Sequence, residues 1–273
     1  MKTASIILNR NLPEVTEKLY ETIVKNNPNN TDVFVIESGS DEEKLSKCTT
    51  WWANSPETMK NGLRFPRGFN YALSKLFEEK KFREYSSYFL VSNDSEFAEN
   101  PFIATLQEEL EEHPRVGILI PCSKSWGEKR IIGERRTRYF CYGEFISWFV
   151  RREFMEAIIN YDPSDSKEFF FDGNNFRGYG CAEEMIAKGY ANDWATAITT
   201  KVMMRENEEH LMTKADLIKT ESINENMKKY IREGREWMKK KYGFNYRWSM
   251  QVYARIFYDK FFDMYPIYKD FRV

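Results

Sequence analysis

The sequence is poor in the residues that build metal clusters and disulfide frameworks. Its 273 residues include four cysteines, none in a Cys-x-x-Cys pair, and two histidines, which excludes HExxH zinc sites and cysteine-rich zinc clusters. No apolar run approaches the roughly 18 to 20 residues that a membrane-spanning helix needs. Widely spaced thiols are typical of a reducing compartment, so we expect a cytoplasmic protein without a transmembrane segment.

Signature motifs of several enzyme classes are missing as well. There is no GxxxxGK phosphate loop and no GxSxG nucleophile elbow, and Gly178 and Gly180 lack the third glycine of a dinucleotide-binding fingerprint. These absences exclude P-loop nucleotidases and α/β-hydrolases, and they argue against a Rossmann dehydrogenase.

The sequence contains enough apolar side chains to form a core, and its charges are unevenly distributed. The chain is 42% hydrophobic and 30% charged, with a net charge of −1, so it can fold without disulfides. Residues 213–273 carry 14 basic against 8 acidic side chains and many aromatic ones. This tail is either an amphipathic helical pair with a solvated charged face or a contact surface for an anionic partner.

Apolar runs alternate with helix signals along the first 200 residues. This alternation predicts an α/β fold with a mostly parallel sheet and helices on both faces, followed by two helices in the tail. Strands are predicted at Ala4–Leu8, Asp32–Ile36, Ser87–Val91, Val116–Ile120 and Phe145–Val150, and helices from Pro13, over Asn70–Lys80, from Pro101 to His113, and over Ile223–Tyr242 and Arg247–Met264.

Polar side chains follow the predicted strands at the edge where ligands of such sheets bind. Asn9 follows the first strand, Glu37 and Ser38 the second, and Asp94 and Glu96 the third. Carboxylates suit hard cations such as Mg²⁺ or Mn²⁺. The pattern indicates a divalent cation site of the kind that a bound nucleoside diphosphate requires.

Five segments in this order resemble those of the nucleotide-diphospho-sugar glycosyltransferases with the GT-A fold, particularly the large family 2. The resemblance covers about residues 4 to 200 of this sequence. Its segments are Ser5-Ile-Ile-Leu8 with Asn9, the run Val35 to Asp41 (VIESGSD), Gly68-Phe-Asn70-Tyr-Ala72, the DxD-like run Leu90 to Glu96 (LVSNDSE), and Gly178 to Glu184 (GYGCAEE) followed by Lys188-Gly189-Tyr190.

The resemblance implies a Rossmann-like GT-A catalytic domain over residues 1–205, with a nucleotide-sugar half at 1–97 and an acceptor half at 98–205. Residues 206–273 would form a basic, aromatic helical extension. It also implies a nucleotide-diphosphate sugar as donor and Mn²⁺ or Mg²⁺ as cofactor. The implied donor contacts are Asn9, Glu37, Ser38, Arg67 and Asn70, and the implied metal ligands are Asp94, Glu96 and His210.

The resemblance further implies that Glu184, with Glu183 beside it, is the catalytic base of an inverting transfer. Such a base takes the proton of the acceptor hydroxyl as that hydroxyl attacks the anomeric carbon. The chain departs from the family pattern by carrying Glu at positions 37 and 184, where Asp is usual, and Ser92 in place of the first DxD acid. Asp172 is the next candidate for the base.

Several acceptors and one further class of protein stay open. A bacterial surface glycan or its lipid-linked precursor fits the family, and the basic tail would then touch an anionic membrane face. A phage-type enzyme acting on hydroxymethylated DNA bases is the second acceptor hypothesis, although the net charge disfavours DNA binding. The alternatives to an inverting enzyme are a retaining GT-A enzyme and a non-catalytic domain that only binds a nucleotide sugar.

Overall fold

A computed structural model gives the fold and describes residues 2–124, 129–143, 146–159, 166–207 and 222–273. The strands of these residues are β1 (Thr3–Asn9), β2 (Thr31–Ser38), β3 (Trp51–Ala53), β4 (Ser87–Ser92), β5 (Ser95–Phe97), β6 (Val116–Ser123), β7 (Thr137–Tyr139), β8 (Ser147–Arg151) and β9 (Ala195–Glu206). The helices are α1 (Pro13–Asn26), α2 (Pro56–Asn61), α3 (Arg64–Glu78), α4 (Phe102–Glu112), α5 (Lys129–Ile132), α6 (Arg152–Ile158), α7 (Cys181–Ala191), α8 (Ile223–Tyr242) and α9 (Arg247–Met264), and a 3₁₀ helix (Pro266–Phe271) follows.

All nine described strands belong to one sheet, in the order β3-β2-β1-β4-β8-β6-β9-β5, with β7 also paired to β9. Strands β1, β2, β3 and β4 run parallel to one another, and β6 runs parallel to β9. Strands β8, β5 and β7 run the other way. The predicted α/β fold with a mostly parallel sheet is therefore confirmed, and β8 is the antiparallel strand that separates its two parallel parts.

The hydrophobic core lies on both faces of this sheet. Successive residues of a strand point to opposite faces, and β1 shows this, since Ile6 belongs to one buried cluster and Ile7 to the other. Helix α3 covers the first face through Leu73 and Leu76. Helices α1 and α4 cover the second face, where Leu19 of α1 is buried. The two layers hold the carboxyl ends of the strands in fixed positions.

The predicted tail helices form with the predicted bounds, because both ends of α8 carry strong local signals. Ser222 and Glu225 form a capping box at its start, and Gly243 ends it in the left-handed conformation at φ +81°. Helix α9 does not stand apart from the sheet. Its Tyr258 and Phe262 are fully buried in the second core cluster, so α9 is packed as part of the same core.

Within the described residues, no helix has the length and apolar character that would let it cross a membrane.

Helix α8 is held against the segment before α7 by a glycine contact. A Cβ atom on Gly234 would lie 2.4 Å from Tyr179 Cβ and 2.8 Å from its backbone oxygen. We therefore expect Gly234→Ala to destabilise the protein by about 1 to 3 kcal/mol, although alanine favours an isolated helix by about 1 kcal/mol. Thermal unfolding beside Glu236→Ala, an exposed position on the same helix, measures this effect. A rise in Tm for Gly234→Ala would show that α8 does not depend on this contact.

Candidate active site

The carboxyl ends of β1, β2 and β4 bring a row of polar side chains together. Strand β1 ends at Asn9, opposite Glu37 at the end of β2, while Leu8 lies opposite Ser92 of β4. The amide of Asn9 donates to Glu37 Oε2 at 2.8 Å and accepts from Asn93 Nδ2 at 2.7 Å. Hydrogen bonds therefore join three strand ends at the sheet edge where ligands of α/β folds bind.

Glu37 is fully buried, and protein groups occupy both of its carboxylate oxygens. Asn9 and the hydroxyl of Ser40 donate to Oε2. The backbone N–H and hydroxyl of Ser46 and the hydroxyl of Thr49 donate to Oε1, at 3.0, 2.8 and 3.2 Å. In this conformation the carboxylate fixes the loop after β2 and offers no exposed surface to a nucleobase. Its contact with the nucleoside stays a prediction.

Three more of the expected donor contacts also bind the protein itself. The hydroxyl of Ser38 accepts from the backbone N–H of the residue before α3 at 2.7 Å. Asn70 is fully buried and its amide bonds four backbone groups of residues 167–171. Arg67 donates to the carbonyl of Gly173 at 2.8 Å. Asn70 and Arg67 thereby hold in place the segment that leads to Asp172.

Asp94 and Glu96 lie at the end of β4 and in β5, where they line one cavity of about 340 Å³. Asp94 is buried, and its backbone carbonyl accepts from the N–H of Asn207 at 2.9 Å. The side chain of Asn207 donates to Glu96 Oε1 at 2.9 Å. Strand β5 pairs with β9, and this pairing carries Asn207 to the cavity. The two acidic residues expected to bind a cation therefore line a common cavity.

Glu183 is buried in the first turn of α7 and connects that helix to α9. Its Oε1 atom accepts from the guanidinium Nε of Arg247, and Gln251 lies at 3.4 Å. Both partners are in the first turns of α9. This ion pair anchors α9 on α7, and neither partner was singled out by the sequence.

Glu184, the expected base, is only 1% exposed and lies beneath the C-terminal turn of α8. Its Oε1 accepts from Lys241 Nζ at 2.7 Å and from the hydroxyl of Tyr242 at 2.5 Å, and Lys188 Nζ lies at 3.4 Å. Its other oxygen, Oε2, is buried and has no hydrogen-bond partner in the part of the chain that the structure describes. All three donors are thus on one oxygen, and the second oxygen is available to accept a proton.

Asp172 shares Lys241 with Glu184 and completes this cluster. Asp172 Oδ2 accepts from Lys241 Nζ at 2.6 Å and from the indole N–H of Trp237 at 3.0 Å. Burial raises the pKa of Asp172, but the hydrogen bonds from Lys241 and Trp237 outweigh burial and lower it. Burial would lower the pKa of Lys241, yet Glu184 and Asp172 outweigh it and raise that pKa. Lys241 is therefore protonated and lies between two carboxylates. Its side chain is still 35% exposed.

His210, the third expected metal ligand, lies outside the described residues. Within those residues, Glu109, Glu112 and His113 are the only three side chains whose potential metal-ligating atoms lie within 4.8 Å of one another. The two carboxylates already have a positively charged partner, because Lys201 forms salt bridges with both Glu109 and Glu112. They lie at the end of α4, before the first residue of β6, and so outside the expected metal site.

Comparisons with known proteins identify the fold. No protein-family model matches the sequence, and no curated protein matches it. Among solved structures, the chain is similar to S. aureus TarS 1–349 in complex with UDP-GlcNAc, at 12% identity and a TM-score of 0.57, over 96% of this chain and 73% of that one. It is also similar to the Pyrobaculum calidifontis mannosyltransferase PcManGT with GDP-Man and Mn²⁺, at 12% identity and a TM-score of 0.52, over 94% and 73%.

A third similar structure is GalNAc-T7 with UDP, GalNAc and Mn²⁺, at 9% identity and a TM-score of 0.57. The match covers 76% of this chain but only 44% of GalNAc-T7, so the chain spans less than half of that protein. The chain has the GT-A-type fold of these nucleotide-sugar glycosyltransferases, and the fold that its motifs resemble is confirmed.

Proposed function

We propose that this protein transfers a sugar from a nucleotide-diphosphate donor to an acceptor hydroxyl and requires Mn²⁺ or Mg²⁺. The observation that supports this most directly is the shared cavity of Asp94 and Glu96, beside the strand ends of a GT-A-type sheet. Ligands of α/β sheets bind at that edge. A second support is the acidic cluster of Asp172 and Glu184 around Lys241.

The acidic residues of this cavity fit a hard divalent cation, and Lys18 also lines it. Asp94 and Glu96 supply carboxylate oxygens, and the amide of Asn207 orients Glu96. Mg²⁺ and its analogues are commonly bound by one or two carboxylates together with substrate phosphates, and a complete protein cage is unusual. When bound, the ion would neutralise the charge that develops on the departing diphosphate.

Glu184 is the proposed base of an inverting transfer, acting through Oε2. The acceptor oxygen would bond to the anomeric carbon as the bond from that carbon to the diphosphate breaks, and the hydroxyl proton would pass to Oε2. Because Glu184 is covered in this conformation, the acceptor can reach Oε2 only after the side chains around it move. The side chains of Lys241 and Lys188 on this carboxylate are each 35% exposed, and the long side chain of Lys241 is one that could move.

The proposed acceptor is a bacterial surface glycan or its lipid-linked precursor. Hydroxymethylated DNA is the alternative acceptor, since α8 carries exposed basic side chains that could meet phosphates. A domain that binds a nucleotide sugar without transferring it remains the non-catalytic alternative. It would share the cavity of Asp94 but would not need a free proton acceptor at Glu184.

We expect UDP or GDP to stabilise the protein only when Mn²⁺ or Mg²⁺ is present. A ligand at about 100 times its Kd raises the free energy of unfolding by about 2.7 kcal/mol. Thermal unfolding with a panel of nucleoside diphosphates, each with metal or with a chelator, measures this stabilisation. Release of nucleotide from the corresponding sugar donor, with glycan, lipid-linked and hydroxymethylated DNA acceptors, then tests transfer. Equal stabilisation with and without chelator would contradict the metal requirement.

A further inference from the structure

Helix α9 exposes a row of large apolar side chains. Trp248, Val252 and Ile256 are spaced by four residues and so lie on one face of the helix. They are 71%, 43% and 61% exposed. Tyr246, just before the helix, is also exposed. A contiguous apolar row that the fold leaves uncovered indicates an interaction surface, whereas single exposed apolar residues do not.

Helix α8 exposes a row of basic side chains. Lys228, Arg232, Arg235 and Lys239 line a shallow groove of about 470 Å³, together with Ile231, Glu236 and Asn245. No acidic side chain of the described residues forms a salt bridge with any of these four cations. Their spacing places like charges at i and i+4, which destabilises a helix by a few tenths of a kcal/mol per pair. Glu236, four residues after Arg232, compensates part of this repulsion, and an anionic partner would offset the rest.

The two rows adjoin at the turn between the helices. The guanidinium of Arg235 lies 5.0 Å from the centre of the Tyr246 ring, and Trp248 follows two residues later. Asn245 lines the basic groove itself. Lys241 does not belong to this surface, because it is bound to Glu184 and Asp172. The basic row and the apolar row therefore adjoin through the contact of Arg235 with Tyr246.

We propose that this face of α8 and α9 docks on the surface of a membrane that contains anionic lipids. Basic residues attract anionic headgroups, and tryptophan and aliphatic side chains enter the boundary between headgroups and acyl chains. Phosphates of DNA would use the basic row but leave Trp248 and Ile256 in water. A second copy of the chain would cover the apolar row but would bring two basic rows together. A membrane is the partner that satisfies both rows at once.

Co-sedimentation with phospholipid vesicles tests this proposal. We expect the full-length chain to bind vesicles of phosphatidylcholine with about one-third phosphatidylglycerol, and not vesicles of phosphatidylcholine alone. Binding should weaken between about 0.1 M and about 1 M salt, as the Debye length falls from about 10 Å to about 3 Å. This test needs no sugar donor, so a failure to bind vesicles would not contradict the proposed sugar transfer. A failure of sugar transfer would likewise not contradict membrane docking.

Matched variants separate the two rows from general effects of charge and exposure. Arg232→Gln with Arg235→Gln should weaken binding about 25-fold, since each basic residue contributes about fivefold. Lys25→Gln with Lys47→Gln removes the same charge from exposed sites elsewhere and should have little effect. Val252→Asp should weaken binding strongly, whereas Val24→Asp, at an equally exposed valine (41%), should not. Trp248→Ala should cost about tenfold.

Three results would overturn the proposal. The first is failure of the wild-type chain to bind anionic vesicles, or equal binding to neutral ones. The second is a concentration-dependent dimer in light scattering that Trp248→Ala converts to monomer, which would make the apolar row a contact between copies. The third is tight binding of duplex DNA that the arginine variant loses and Trp248→Ala keeps, together with weak vesicle binding.

Discussion

Glu184→Gln is expected to lower the rate of sugar transfer by about 10²- to 10⁴-fold, the usual range for loss of a general base. Glutamine keeps the shape of the side chain and an oxygen that can accept from Lys241 and Tyr242, so the turn that covers it should remain in place. It cannot take a proton at the position of Oε2. Because a base acts in the transition state, the Kd of the nucleotide sugar should change little. Transfer kinetics and donor binding are measured on the same preparation.

Glu183→Gln is the matched control, one residue away in the same helical turn. Its carboxylate pairs with Arg247 and anchors α9, so its loss should lower Tm. Transfer measured well below that Tm should stay close to the wild-type rate. The two variants thus separate a chemical role from a packing role.

Normal transfer by Glu184→Gln would remove Glu184 from the role of base. Asp172 would then be the carboxylate to test, since it contacts the same lysine. If the wild-type protein binds a nucleotide sugar but transfers it to none of the glycan, lipid-linked or DNA acceptors, the non-catalytic interpretation is favoured.

The order of the major strands and helices could be predicted from the sequence because each is specified locally. Strands β1, β4 and β6 are almost entirely buried and β2 is buried over its second half. All four contain apolar runs, and they appear within a few residues of the predicted bounds. Four other strands were missed. The three-residue strands β3, β5 and β7 are too short to give a periodic signal. Strand β9 was missed although its β-branched run from Ala195 to Val202 is a usable signal.

That the polar residues at the ends of β1, β2 and β4 lie close together could also be predicted, but not the contacts that they make. The polar residues after β1, β2 and β4 do meet at one edge of the sheet. The sequence could not show that the side chains of Glu37 and Asn70 are fully hydrogen-bonded to other parts of the protein. Such bonds depend on the path of loops between elements, and those loops carry no periodicity. A buried carboxylate with five donors looks the same in a sequence as an exposed one.

The contact of Lys241 with the proposed base Glu184 is a second example of a contact that the sequence does not show, here between residues far apart in the chain. Lys239, Lys240 and Lys241 are three consecutive basic residues near the end of α8, and nothing in the sequence distinguishes one from another. The structure separates them, because only Lys241 lies on the side of α8 that faces Asp172 and Glu184. Helical spacing indicates which residues share a face, but the direction of that face is set by packing, here by Gly234 against Tyr179. Charge reversal of all three lysines would therefore disturb the proposed base as well as the surface.

Asp94→Asn is expected to abolish the metal-dependent stabilisation by nucleoside diphosphates and to reduce transfer by at least about 10²-fold. Asparagine has nearly the same shape, but it replaces a charged oxygen ligand with a neutral amide at a buried position. Hard divalent cations bind carboxylates far better than amides at such sites. Under ligand conditions that stabilise the wild-type protein by about 2.7 kcal/mol, the variant should show almost no change in Tm. Calorimetry with Mn²⁺ and UDP or GDP gives the corresponding Kd.

Glu96→Gln and Asp263→Asn complete this experiment. Glu96 lines the same cavity, so a loss as large as that of Asp94→Asn would place both carboxylates on the cation, and a small loss would leave Asp94 as the principal ligand. Asp263 is exposed on α9, and the same chemical change there should alter neither binding nor transfer. If Asp94→Asn binds the nucleotide with wild-type affinity and the same dependence on metal, the cation must be held elsewhere. The cavity between α1 and β5 would then lose its assignment as the metal site.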